Sequence, residues 1–133
     1  MRAKNAKLPR ECFRDLGWHA DCIKALLREV PTVRIQKHPI LEFGERKTVL
    51  FMFDGKPMEG YEGEPIASAL HAAGVAALRH SHRLGRPRGL FCAIGNCSSC
   101  LMTVDGVPNV RVCVEPLKEG MQVSTQTGRG KLL

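Results

Sequence analysis

Four cysteines limit this chain more than any other feature. Cys92, Cys97, Cys100 and Cys113 follow the spacing C-x4-C-x2-C-x12-C. Three thiols on one tight loop and a fourth returning from nearby are able to enclose a small metal centre. The order C-x4-C-x2-C…C is the spacing at which four thiolates hold a [2Fe–2S] cluster. The residues between the cysteines suit that chemistry. A loop around an anionic centre should turn its backbone N–H groups inward, and concave runs of N–H groups make anion sites. Gly95 allows the curl. Ser98 and Ser99 are small donors, Ala93 and Ile94 shield the centre, and Leu90 and Phe91 lead into the loop as apolar anchors. Zinc and a pair of disulfides are the competing uses of four cysteines. Structural zinc sites usually pair two C-x2-C knuckles, and only Cys97 and Cys100 form one here. Disulfides belong to oxidising compartments, and nothing marks the chain as secreted.

The run 92–100 resembles the cluster loop of plant-type ferredoxins, which carry Gly at the Gly95 position and often Ser-Ser before the third cysteine. The fourth cysteine departs from the photosynthetic members, where it lies much further along. Here twelve residues separate Cys100 from Cys113. That short return, with residues 85–92 before it and 104–111 within it, is similar to a narrower family. These are the small [2Fe–2S] subunits, or equivalent N-terminal domains, of multisubunit flavin-dependent amine and amino-acid dehydrogenases. The group includes hydrogen cyanide synthase, opine and octopine oxidases, D-hydroxyproline and proline dehydrogenase complexes and the sarcosine oxidase alpha chain. The resemblance covers roughly residues 48–125. It implies an α+β chain with a β-grasp domain and an electron-transfer role. It further implies larger FAD-containing dehydrogenase subunits as partners in a hetero-oligomer. The FAD or FMN would then sit in those partners, not in this chain.

Length and composition set bounds. At 133 residues the chain fits one domain with an extension. No apolar run approaches the ~20 residues that span a bilayer. The N-terminus is basic without an apolar core, so it does not read as a signal peptide, and six cysteines without an export signal suggest a cytoplasmic protein. The formal charge is +7 and the pI about 9.4. Four thiolates and an oxidised Fe₂S₂ core leave the loaded chain at about +5. No basic run is interleaved with stacking aromatics, so nucleic acid is not an expected partner. A freely diffusing plant-type ferredoxin is typically acidic, whereas a basic chain suits a fixed subunit.

Along the chain, residues 1–45 read as an extension. Leu16, Ala20, Ile23, Leu27 and Val30 recur at helical spacing, with Asp21 near the start and Pro31 at the end. This amphipathic helix either packs on its own domain or docks on a larger chain. Cys12 and Cys22 are too few to form a metal site and read as small hydrophobes. Residues 32–35 suggest a short strand.

Residues 46–133 read as the main domain. A strand over 47–53, the hairpin signal Asp54-Gly55 and a strand over 56–61 open it. A helix over 66–73 follows, introduced by Pro65 and stopped by Gly74. Residues 75–78 suggest a strand edge. The basic stretch Arg79, His80, His82, Arg83, Arg86 and Arg88 precedes the cysteine loop and is expected near it. Two histidines there also raise the ligand set of a Rieske centre, which four well-spaced cysteines disfavour. Strand 101–104, the turn Asp105-Gly106 and a return strand over 110–114 bring Cys113 back to the loop. Residues 116–120 read as a turn, 121–125 as a last strand and 126–133 as a polar tail. No Gly-x-Gly-x-x-Gly, P-loop or nucleophile–base pair appears, so the chain alone is not expected to turn over a substrate.

Overall fold

Strict alternation builds the first strand. The computed structural model describes residues 33–35 and 37–130, all within the compact unit Pro31–Leu133. In β1 (Thr48–Phe53) the side chains of Val49, Phe51 and Phe53 are buried, and the residues between them face outward. Asp54 and Gly55 both take positive φ, as a two-residue hairpin turn of this hand requires. β2 (Lys56–Tyr61) returns antiparallel in full register. The turn is tied down from a distance, because the Asp54 carboxylate accepts bonds from the Thr125 N–H and hydroxyl, each at 2.7 Å.

Pro65 precedes α1 (Ile66–Ala72), which buries Ile66, Ala67, Ala69 and Leu70. Gly60 of β2 lets the helix come close. A Cβ there would collide with Leu117 and Ala69. The helix ends at Ala73 and Gly74, with Gly74 at φ +84°.

The chain then forms a small separate ribbon, β3 (Arg79–His80) against β4 (Pro87–Arg88). Residues 75–78 do not form the strand edge expected from sequence. Leu78 is buried alone, and its N–H meets the Arg88 carbonyl just before the ribbon begins. β5 (Leu101–Val104) and β6 (Val107–Arg111) form the second hairpin around Asp105-Gly106, with a bulge between Met102 and Val104. β7 (Gln122–Ser124) completes a five-stranded mixed sheet of order β2-β1-β7-β5-β6. The central pair β1–β7 is parallel, and the pairs on either side are antiparallel. A helix packed on a mixed sheet of this order is the β-grasp arrangement. Its core lies between α1 and the sheet and includes Phe51, Leu70, Met102, Leu117, Cys100 and Cys113.

Three further sequence expectations shift. Residues 33–35 are extended but unpaired as a strand. They lie against the end of α1 instead of a sheet edge, with the Val33 N–H donating to the Ala72 carbonyl at 3.2 Å. The return strand starts and ends earlier than expected, so Cys113 lies in the turn after β6. The tail is anchored, because Gln126 is buried and exchanges two hydrogen bonds with Asn109. The amphipathic helix, Cys12 and Cys22 lie outside the described residues.

Candidate metal centre

The cysteine loop is entered through a constriction and bent by two left-handed residues. Gly89 passes so close to the Ala76 carbonyl that a Cβ would collide with it. Ala93 and Gly95 take φ of +58° and +75°. This curl turns N–H groups toward sulfur. The Cys97 N–H lies 3.3 Å from Cys92 Sγ, and the Ser99 N–H lies 3.5 Å from Cys97 Sγ. The N–H groups of Cys97 and Ile94, the Cys97 thiol and the Asn96 N–H together lower the Cys92 pKa to about 6. They stabilise the thiolate, the form that binds metal.

The other two cysteines belong to the core. Cys100 closes the loop at the start of β5 and is 1% exposed; Cys113 is 5% exposed. The turn bearing Cys113 is seated on the start of α1. The Ala67 N–H donates to the Val112 carbonyl at 2.8 Å, and the Ile66 N–H to the Glu115 carbonyl at 3.0 Å. Burial, followed by the neighbouring Cys113 thiol, pushes Cys100 up to about 11. A thiol so placed loses its proton readily only to a cation that replaces the lost hydration.

The sulfurs lie in sequence from the loop to the core, with Cys97 close enough to act on Cys100 by its charge. Cys92 is beside Cys97, Cys100 is beside Cys113, and none of the four is in a disulfide. Among the described residues, no three His, Cys, Asp or Glu side chains converge tightly enough for a single ion. A compact tetrahedral site draws four ligands about one point, whereas a centre with two irons takes two thiolates at each. A donor set of four cysteines fits the second.

Of the arginines expected near the loop, Arg79 touches it directly, its Nη1 donating to the Ser98 carbonyl at 3.0 Å. Its Nε is buried without a partner among the described residues. Arg83, Arg86 and Arg88 are exposed. Sequence reasoning missed Arg111, whose Cδ approaches the Gly95 position together with Val114. Only the return of the hairpin reveals that closeness. It also missed Arg34, which forks onto Glu64 at 2.5 and 2.8 Å and covers the Tyr61 ring, across 30 residues of chain.

The comparisons with known proteins agree with this geometry. Residues 46–128 match the profile of the 2Fe-2S iron-sulfur cluster binding domain. The hydrogen cyanide synthase subunit HcnA of Pseudomonas aeruginosa is 34% identical over 85 residues, 63% of this chain and 80% of that protein. The sarcosine oxidase subunit alpha of Rhizobium meliloti is 39% identical over 80 residues, 57% of this chain but 8% of that protein. The crystal structure of L-proline dehydrogenase from P. horikoshii superposes with a TM-score of 0.56 at 32% identity. The match covers 67% of this chain and 18% of that one. The chain thus spans most of HcnA and only a small part of the two larger proteins. With a profile match over more than half its length and four cysteines gathered at the β-grasp core, this chain belongs to the 2Fe-2S iron-sulfur cluster binding domain family.

Proposed function

We propose that this chain is the electron-transfer subunit of a multisubunit flavin-dependent amine or amino-acid dehydrogenase or oxidase, and that Cys92, Cys97, Cys100 and Cys113 hold its one [2Fe–2S] cluster. The observation that carries the reading is the paired set of free cysteines on a loop whose N–H groups face sulfur. When bound, such a cluster accepts and donates single electrons. The chain's own part is to hold the thiolates and to shield one side of the centre with its core. The loop N–H groups and Arg79 supply positive potential beside it. The flavins, FAD or FMN, reside in larger partner chains. Electrons pass singly between flavins, or from a flavin to an external acceptor. The relatives support a subunit role, because HcnA is a subunit of hydrogen cyanide synthase and the alpha chain is a subunit of sarcosine oxidase. We place the protein in the cytoplasm, where thiols stay reduced and open to a metal centre. Among the described residues no helix is long and apolar enough to cross a membrane.

The test is purification from the native host under conditions that preserve complexes. Larger chains and flavin in the peak that carries the iron are the expected result. Recovery of this chain alone, loaded with iron and without flavoprotein chains, would favour a free ferredoxin-type shuttle and overturn the subunit reading.

A further inference from the structure

Charge is divided unevenly along this chain. Between Glu64 and Asp105 there is no carboxylate side chain in 40 residues, while Arg79, Arg83, Arg86 and Arg88 all fall within that stretch. The ion pairs among the described residues, Arg34–Glu64 and Lys47 with Glu62 and Glu119, all lie outside it. Arg79, Arg83, Arg86 and Arg88 thus form no ion pair among the described residues. An uncompensated cluster of like charge opposes folding by self-repulsion, and the same field steers association with an oppositely charged partner.

The same region exposes apolar side chains. Phe91 is 83% exposed and Ile94 74%, and they flank Cys92 on either side. Val114, half exposed, packs against the Gly95 position from the far side of the loop. The ribbon joins this patch through Arg79, which bonds the loop at Ser98, and through Arg88, its partner across β3–β4. Large exposed apolar groups beside polar ones mark interaction surfaces, and aromatic and Arg residues are enriched at interface centres.

We propose that the outer edge of the cysteine loop and the β3–β4 ribbon form one docking surface for a larger protein chain, with Phe91 and Ile94 entering an apolar recess and the ribbon arginines meeting a rim of Asp and Glu. This rests on the proposed function and names the kind of partner face that function requires. The charge commits the occupant, since acidic groups on the partner supply what the ribbon lacks. The location adds a reason, because Cys92 and Cys97 form the accessible half of the cysteine set and a chain covering Phe91 comes nearest to them.

The test uses the chain with its larger chains from the native host, comparing wild type with R83E/R86E, Phe91→Ser and a charge-matched control, K56E/K118E, at exposed positions outside the acid-free stretch. The optical spectrum of each variant checks that the iron centre is retained. The expected result is at least a tenfold loss of larger chains recovered with R83E/R86E, a several-fold loss with Phe91→Ser and none with the control. Wild-type recovery should also fall as salt rises above about 0.15 M. Wild-type recovery in every variant would overturn this inference and leave the proposed function standing. Absence of larger chains from the wild type would overturn both. Dimers of the purified chain in sedimentation, lost with Phe91→Ser, would assign the surface to a second copy. Binding to phosphatidylserine-containing vesicles that R83E/R86E abolishes would assign it to a membrane. Either of these overturns the proposal.

Discussion

The two cysteine pairs differ in what holds them. Cys92 and Cys97 are half exposed and shaped by their own loop, through left-handed residues and N–H groups aimed at sulfur. Cys100 and Cys113 are part of the hydrophobic core, seated by β5 and by the turn bonded to α1. In the first pair Cys92 is made ready chemically, by N–H groups that stabilise its thiolate. In the second Cys100 is made ready mechanically, held in place by burial that disfavours its thiolate. In the proposed centre one pair thus faces outward and the other is set in the core.

The largest expected effect separates the pairs. Replacing any of the four cysteines by Ser should abolish normal iron loading. Cys100→Ser and Cys113→Ser should also destabilise the apo chain by about 1–3 kcal/mol, because a hydroxyl is left in an apolar site. Cys92→Ser and Cys97→Ser should leave its urea midpoint unchanged. Equal losses from both pairs would break the comparison. Next come two glycines. Gly60→Ala forces Leu117 and Ala69 apart beneath α1 and should cost about 1–3 kcal/mol in urea unfolding. Gly95→Ala, at φ +75° and with Val114 at 3.3 Å, should cost about 1 kcal/mol and show chiefly as faster iron loss.

A smaller effect concerns acid. Burial pushes Glu64 up, but the Arg34 fork, the Tyr61 N–H and the charges of Arg34 and Arg46 outweigh it and hold the carboxyl below its ordinary value. A depressed carboxylate contributes stability that is present above its unfolded pKa of about 4.3 and is lost as pH falls through the lower folded value. The acid limb of apo-chain stability should therefore flatten in Glu64→Gln, by under about 1 kcal/mol after solvent screening. A limb of unchanged slope would remove Glu64 from the account. The smallest effect is none: Cys12→Ser and Cys22→Ser should leave the optical spectrum unaltered, and a changed spectrum would bring a third pair into play.

The sequence made local features legible. Asp54-Gly55 and Asp105-Gly106 announced their hairpins, the alternation of Val49, Phe51 and Phe53 announced a buried face, and the cysteine spacing announced the loop. What it concealed depends on distant pairing. The parallel placement of β7 beside β1 joins segments some 70 residues apart and leaves no periodic trace. The strands β3 and β4, of two residues each, are too short to show alternation. Gln126 looked like tail until Asn109, 17 residues earlier, was found to complete its hydrogen bonds. The division of the cysteines into a loop pair and a core pair was hidden for the same reason. Spacing says that four thiols meet, whereas the fold determines which of them the core holds.

The central claim is that these two pairs together hold one binuclear iron–sulfur centre. Iron, acid-labile sulfide and zinc analysis with an optical spectrum, on anaerobically purified protein, tests it most directly. The account predicts a red-brown sample with about two irons and two sulfides per chain, bleached by dithionite. A colourless sample carrying zinc and no sulfide would contradict it.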